Sequence, residues 1–285
     1  MLSRLTEIPR MQLGEFVLTI ELDDLSPELQ QVALKELREN PDIVKPAIEE
    51  LRTLLKDDAE LNVPYENDGF LVRFLRPCKY YAESAYQLVK RYYQFKVKHH
   101  KVYDGLLPST EQNIFAQNIL TVLPTRDAQG RQKWKPSECS LDEVFKGCVL
   151  FVEAAVLEPK TQVAGAQVIF DMDGLSLSHV CQFTPPFAKR IVDWLQPYIF
   201  NMVFALFKPF LREKLRSRII FHGKDRASLH KHINREALLP CYDGLLDVPR
   251  ISGIQWFELL QKCDDEYKAI NSYGVKSANG EIIKG

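Results

Sequence analysis

At 285 residues, with 46% hydrophobic and 26% charged residues, the chain is long enough for one large domain or two smaller ones around a substantial core. A net charge of −1 argues against a general nucleic-acid binder. The six cysteines form no Cys-x-x-Cys pair, which argues against a metal or disulfide framework and suits free thiols in a reducing compartment.

No apolar run follows Met1–Arg4, so no signal peptide or spanning segment is expected there. Charge is uneven. Asp and Glu crowd residues 15–68, and Lys and Arg crowd residues 73–101 and 208–226. Leu25-Ser26-Pro27-Glu28 reads as an N-cap followed by proline at the first helical position. A helix over 30–39 follows and breaks at Asn40-Pro41-Asp42. The next, over 47–56, repeats Ile48, Leu51, Leu54 and Leu55 at helical spacing. Asp68-Gly69 opens a short helix to Leu75, which Pro77 ends. A long helix over 80–99 turns Ala85, Leu88, Tyr92 and Phe95 inward. Residues 25–100 therefore form a small helical bundle.

Beyond residue 118 the pattern changes. Strands are predicted at 119–123, 166–170 and 218–222. Ser140-Leu141-Asp142-Glu143 is a capping box, and the helix behind it presents Phe145, Cys148, Val149, Val152 and Val156 on one face. Thr184-Pro185-Pro186 caps another helix, to Gln196. Helices alternating with short apolar strands imply an α/β layer. The tail from Ser272 to Gly285 is polar and reads as loose.

Between Tyr198 and Arg218, Phe200, Val203, Phe204, Phe207, Leu211, Lys214 and Arg218 share one helical stripe, apolar at its start and basic at its end. Such a helix covers an apolar cavity, lies on an anionic membrane, or packs as an ordinary core helix with a solvated basic end. Its apolar run is far below the ~20 residues that span a bilayer.

Catalytic motifs are weak. Gly174-Leu175-Ser176-Leu177-Ser178 has Ser178 in place of the second glycine of a nucleophile elbow. No P-loop or dinucleotide fingerprint is present. His230 and His232, two apart with Lys231 between them, fit a solvated loop or helix start better than a metal site. Asp171 and Asp173 read as turn residues. Glu153 lies beside the apolar face of the capping-box helix. It either makes a salt bridge at the surface or lip, or serves as a polar anchor or structural ion pair inside.

Four segments together resemble the CRAL-TRIO lipid-binding family, in the branch of the tocopherol-transfer and retinaldehyde-binding proteins. They are LVRFLRPCK (Leu71–Lys79), AGAQVIFDMDGLSLSH (Ala164–His179), FKPFLREKLRSRIIFHG (Phe207–Gly223) and LLPCYDG (Leu238–Gly244). The resemblance implies an α/β fold: a small N-terminal helical bundle (25–100), then a lipid-binding lobe (115–262) with a mobile lid helix, then a C-terminal tail (263–285). It implies a non-enzymatic, monomeric, cytoplasmic carrier of a retinoid, tocopherol or similar lipid, without cofactor or metal and with transient contact to anionic membranes.

On that resemblance the pocket wall is Phe145, Cys148, Val149 and Val152, and its floor and side are Val168, Phe170, Phe183, Phe187 and Ile191. Phe200, Val203, Phe204 and Phe207 line the lid. Arg73, Arg76, Lys208, Lys214 and Arg218 occupy positions where the family places phosphoinositide head-group contacts; the alternative is ordinary surface charge. Three departures stand out. An apolar strand expected after Gln132 and another expected after Gln196 are missing, and Asp243 replaces a glycine, which a left-handed turn tolerates. The sheet is therefore expected to be incomplete. Two rivals follow: a phosphoinositide-responsive sensor, and a splice-type variant that has lost its cavity and acts through protein contacts.

Overall fold

The computed structural model describes residues 7–120, 137–165, 169, 171, 179, 181–195, 220–246, 251–276 and 282–284. Local capping chemistry sets most helix starts in the first layer. Helix α1 (Pro27–Leu37) begins at Ser26, whose side chain accepts from the Leu29 N–H, and it ends at Arg38 in the left-handed region. Asn40 then caps α2 (Pro41–Asp57) by accepting from the Asp42 N–H, so the residues read as a breaker restart a helix at once. Asn67 does the same for α3 (Asp68–Leu75) through the Phe70 N–H. Helix α4 spans Ala82–Lys98. Leu51, Leu71, Leu75, Ala85 and Val89 are fully enclosed where α2, α3 and α4 meet. Burying each leucine stabilises by about 2 kcal/mol.

Two small antiparallel sheets flank these helices, neither anticipated from the sequence. Strands β1 (Arg10–Leu13) and β2 (Phe16–Thr19) form a hairpin, with Gly14 left-handed at its turn. Strand β3 (Leu61–Asn62) pairs with β4 (Gly274–Lys276), which pairs with β5 (Ile282–Lys284). The tail read as loose is thus in part a strand pair laid on the N-terminal bundle.

The second apolar core gathers around α7 (Leu141–Ala155). Helices α5 (His100–Tyr103) and α6 (Gln112–Ala116) pack on it from the N-terminal side. Helix α8 (Pro159–Ala164) follows α7 in the chain, and α9 (Pro185–Leu195) adds Phe187, Ala188 and Trp194 to this core. Helix α10 (Arg226–His230) belongs to a separate small cluster with Leu238, Leu239 and Tyr242. Helices α11 (Gly253–Leu260) and α12 (Asp264–Asn271) close the main core with Leu259, Leu260, Tyr267 and Ile270.

The fold is mixed α/β with small sheets of few strands, none closed among the described residues. The three predicted strands lie in large part outside the described residues. Ile119, Leu120, Ile169 and the run Ile220–His222 carry no strand pairing, and the other residues of those segments lie outside the described set. Their apolar side chains suit a strand, but ladder hydrogen bonds need neighbours, and no parallel pair exists among the described residues.

Gly253 sits where α11 crosses α6. A Cβ there would lie 1.9 Å from the Phe115 carbonyl oxygen, a backbone atom that cannot swing aside. Gly253→Ala is expected to destabilise the chain by about 1–3 kcal/mol, read as a lower melting temperature. An unchanged melt would place the α6–α11 contact outside the cooperative unit.

Candidate ligand-binding site

Helix α7 is held at its start by a reciprocal cap. The Ser140 side chain accepts from the Glu143 N–H, and the Glu143 carboxylate accepts from the Ser140 N–H at 2.8 Å. This fixes which face meets α9. Phe145 and Val149 are buried, and Cys148 and Val152 are half-buried beside them. The Phe145 ring stands edge-on to Trp194 at 5.2 Å and to Phe187 at 6.1 Å, and Phe183 meets Phe187 at 5.9 Å. Ile191 packs against the same cluster. The wall residues Phe145, Cys148, Val149 and Val152 thus come together with Phe183, Phe187 and Ile191. Val168, Phe170 and the lid residues Phe200, Val203, Phe204 and Phe207 lie outside the described residues. A hollow of about 330 Å³ lies elsewhere, between α2 and the start of α4, lined by Arg38, Pro46, Glu50, Tyr80, Tyr81 and Glu83. Its lining carries Arg38, Glu50 and Glu83 and includes no residue of α7.

The two described cations assigned to head groups turn inward. Arg73, 10% exposed, forms an ion pair with Glu153, 5% exposed. The Tyr92 hydroxyl donates to the other Glu153 oxygen at 2.7 Å. Of the readings left open for Glu153, the structure selects the interior ion pair, not the lip. Arg76 grips Glu39 through Nε at 3.0 Å and Nη2 at 2.7 Å, and its Nη1 donates to Gln162 at 2.7 Å. Its charge ties the end of α1 to α8. Lys208, Lys214 and Arg218 lie outside the described residues.

Lys96 escaped the sequence reading. It is 1% exposed, and its ammonium donates to Asn271 Oδ1 at 3.1 Å. The rings of Tyr92, Tyr93 and Tyr103 surround it at 5.3, 6.0 and 5.2 Å. Burial lowers its pKa to about 8; the Glu153 carboxylate pulls it back up, and Arg73 pushes it further down. Only the lack of an exposed face at this position of α4 hinted at this role. The histidines form no metal cluster among the described residues. His230 bonds the Tyr242 carbonyl at 2.8 Å, and the His222 and His232 rings lie 5.5 Å apart. No helix among the described residues is long and apolar enough to cross a membrane.

Comparison with known proteins identifies this arrangement. A family model described as the CRAL/TRIO domain matches residues 117–198 and 196–244. A Homo sapiens protein named alpha-tocopherol transfer protein-like is 30% identical over 265 residues, covering 85% of this chain and 77% of that one. The Mus musculus protein of the same name is 31% identical over the same shares. Clavesin-1 of Mus musculus is 28% identical over 284 residues, covering 91% of this chain and 79% of its own. This chain belongs to the CRAL-TRIO family.

The family match comes in two pieces that meet at 196–198, where the sequence lacks an expected strand; no such break falls at Gln132. The family turn at Leu238–Gly244 survives the exchange of glycine for Asp243, which adopts φ 55° and ψ 31°. Gly244 follows with its N–H bonded to the Leu239 carbonyl at 2.8 Å. A Cβ there would meet the Leu238 carbonyl oxygen at 1.7 Å.

Glu153→Ala leaves Arg73 buried without its carboxylate. Breaking one side of a buried pair costs about 3–5 kcal/mol, so a urea unfolding curve should shift strongly to lower midpoint. Arg73→Met/Glu153→Leu together should recover most of the loss. Lys96 sets a pH dependence. Its folded pKa of about 8 lies below the 10.5 of a free lysine, so the unfolded chain binds more protons between these values. Stability therefore rises with pH from about 8 toward 10.5 and carries the full penalty below 8, about 3 kcal/mol in all. Lys96→Met should flatten that rise between pH 8 and 10 in denaturant midpoints. An equally steep rise in the variant would assign it to another group.

Proposed function

We propose that this CRAL-TRIO protein is a carrier of a hydrophobic small molecule, a retinoid, tocopherol or similar lipid, and moves it between membranes from the cytoplasm. The observation that carries the reading is the half-buried apolar face of Cys148, Val152, Phe183 and Ile191 over the buried Phe145–Phe187–Trp194 cluster, within a chain of a lipid-binding family. Such a face removes a ligand from water at ~25 cal/mol per Å² of apolar surface without a covalent step. The relatives named for tocopherol transfer support this ligand class. In this reading residues 200–211 form the lid, with Val168 and Phe170 on the floor, and Lys208, Lys214 and Arg218 meet lipid phosphates. Arg73 and Arg76, assigned to the same role, also form inward ion pairs with Glu153 and Glu39.

A second reading is favoured by the strand-length segment that the sequence lacks after Gln196, where the two pieces of the family match meet. It is a splice-type variant that has lost ligand binding and acts only through protein contacts. Native mass spectrometry of the chain purified from cells separates them. A co-purifying apolar molecule supports the carrier. A bare chain that gains none from lipid extracts supports the variant. Phe204→Asp should then impair vesicle-to-vesicle transfer in the carrier and change nothing in the variant.

A further inference from the structure

We infer that the C-terminal turns of α4 together with the outer face of α9 form a docking surface for an anionic phospholipid bilayer. The inference takes its occupant from the carrier reading and places the contact on residues no comparison assigns. Residues 84–103 contain Lys90, Arg91, Lys96, Lys98 and Lys101 and no Asp or Glu. Two of these are committed elsewhere: Lys90 pairs with Asp58 at 2.9 Å, and Lys96 is enclosed. Arg91 and Lys98 lie seven residues apart on α4 and so share its exposed face, and Lys101 is exposed on α5. Among the described residues no carboxylate lies within ion-pair distance of Arg91 or Lys101.

Helix α9 brings two more cations, Lys189 and Arg190, beside Lys98 and His99. Asp193 is shared by Lys98 and Lys189, two ammonium groups on one carboxylate. Arg190 rests on the rings of Phe145 and Phe187 and reaches Asp142 at 2.8 Å. His99 sits in this field. Its pKa is lowered by burial and by Lys98, Arg190 and Lys189, and Asp193 opposes them. The excess of positive charge favours a surface of lipid phosphates.

The test uses sedimentation of the full chain with phosphatidylcholine vesicles, with and without phosphatidylserine. Each basic residue near an anionic surface changes affinity about fivefold. Arg91→Gln/Lys101→Gln is expected to bind phosphatidylserine vesicles roughly 25-fold more weakly, with no change on phosphatidylcholine alone. The difference should vanish in salt that shortens the Debye length to about 3 Å. Equal binding by parent and variant, or equal loss on neutral vesicles, overturns the inference. So does equally tight binding of the parent to an RNA oligonucleotide at the same salt. A variant with an altered melt is replaced by the parent alone: anionic vesicles should protect Lys98 and Lys101 from acetylation, and absent protection overturns the surface. Native mass spectrometry of bound apolar ligand reports separately on the carrier reading.

Discussion

The carboxylate of Glu153 is the constraint around which this molecule is arranged. It projects from α7 into a space closed by α3 and α4, where water does not compensate it. Arg73 supplies the countercharge, and Tyr92 donates to the second oxygen. A buried carboxylate with these partners is satisfied, and without them it would neutralise or unfold its surroundings. The geometry therefore dictates how the first helical layer meets the second. Helix α7 sits where Glu153, its buried acidic side chain, finds both partners, and its apolar face is thereby turned toward α9.

Two apolar cores lie on either side of this polar seam. Apolar burial is non-directional and would tolerate many relative placements of the two. Hydrogen bonds between charged and neutral groups tolerate few. The seam has three members in different places: Arg73 with Glu153 and Tyr92, Arg76 with Glu39 and Gln162, and Lys96 with Asn271. Together they specify orientation, and the cores supply most of the stabilisation. Lys96 is the costly member, since burial removes a cation from water and only one hydrogen bond and three ring faces replace it. The Tyr267 hydroxyl, donating to the Leu150 carbonyl at 2.7 Å, pins α7 from the side of α12.

Much of this was legible where the cause is local. Ser26 and Ser140 were readable as caps because the cap bond spans three residues. The inward residues of α4, Ala85, Leu88, Tyr92 and Phe95, follow from helical period, and all four are buried. The apolar face of α7, with Phe145, Cys148, Val149 and Val152, follows from the same period, and Phe187 and Ile191 of α9 pack in the same core. The arginines were not legible in this way. A guanidinium that meets a phosphate and one that meets a carboxylate read identically, and the partner of Arg73 is 80 residues away. Glu153 was ambiguous for the same reason. The sheets failed differently. Strands β4 and β5 are three residues each, too short for alternation to show, and their meaning comes from β3, more than two hundred residues earlier in the chain.

That last pairing shapes how the chain assembles. The N-terminal bundle is synthesised some two hundred residues before Gly274–Lys276 and Ile282–Lys284, the strands that complete its small sheet. Between them, α12 must settle into the other core and place Asn271 against Lys96. A bundle emerging from a ribosome at about 5–20 residues per second thus waits with Leu61 and Val63 uncovered on one side. Its enclosed lysine lacks its hydrogen-bond acceptor until Asn271 has emerged. The order of synthesis and the order of closure run in opposite directions, so these helices remain provisional until β4 and β5 are laid on them.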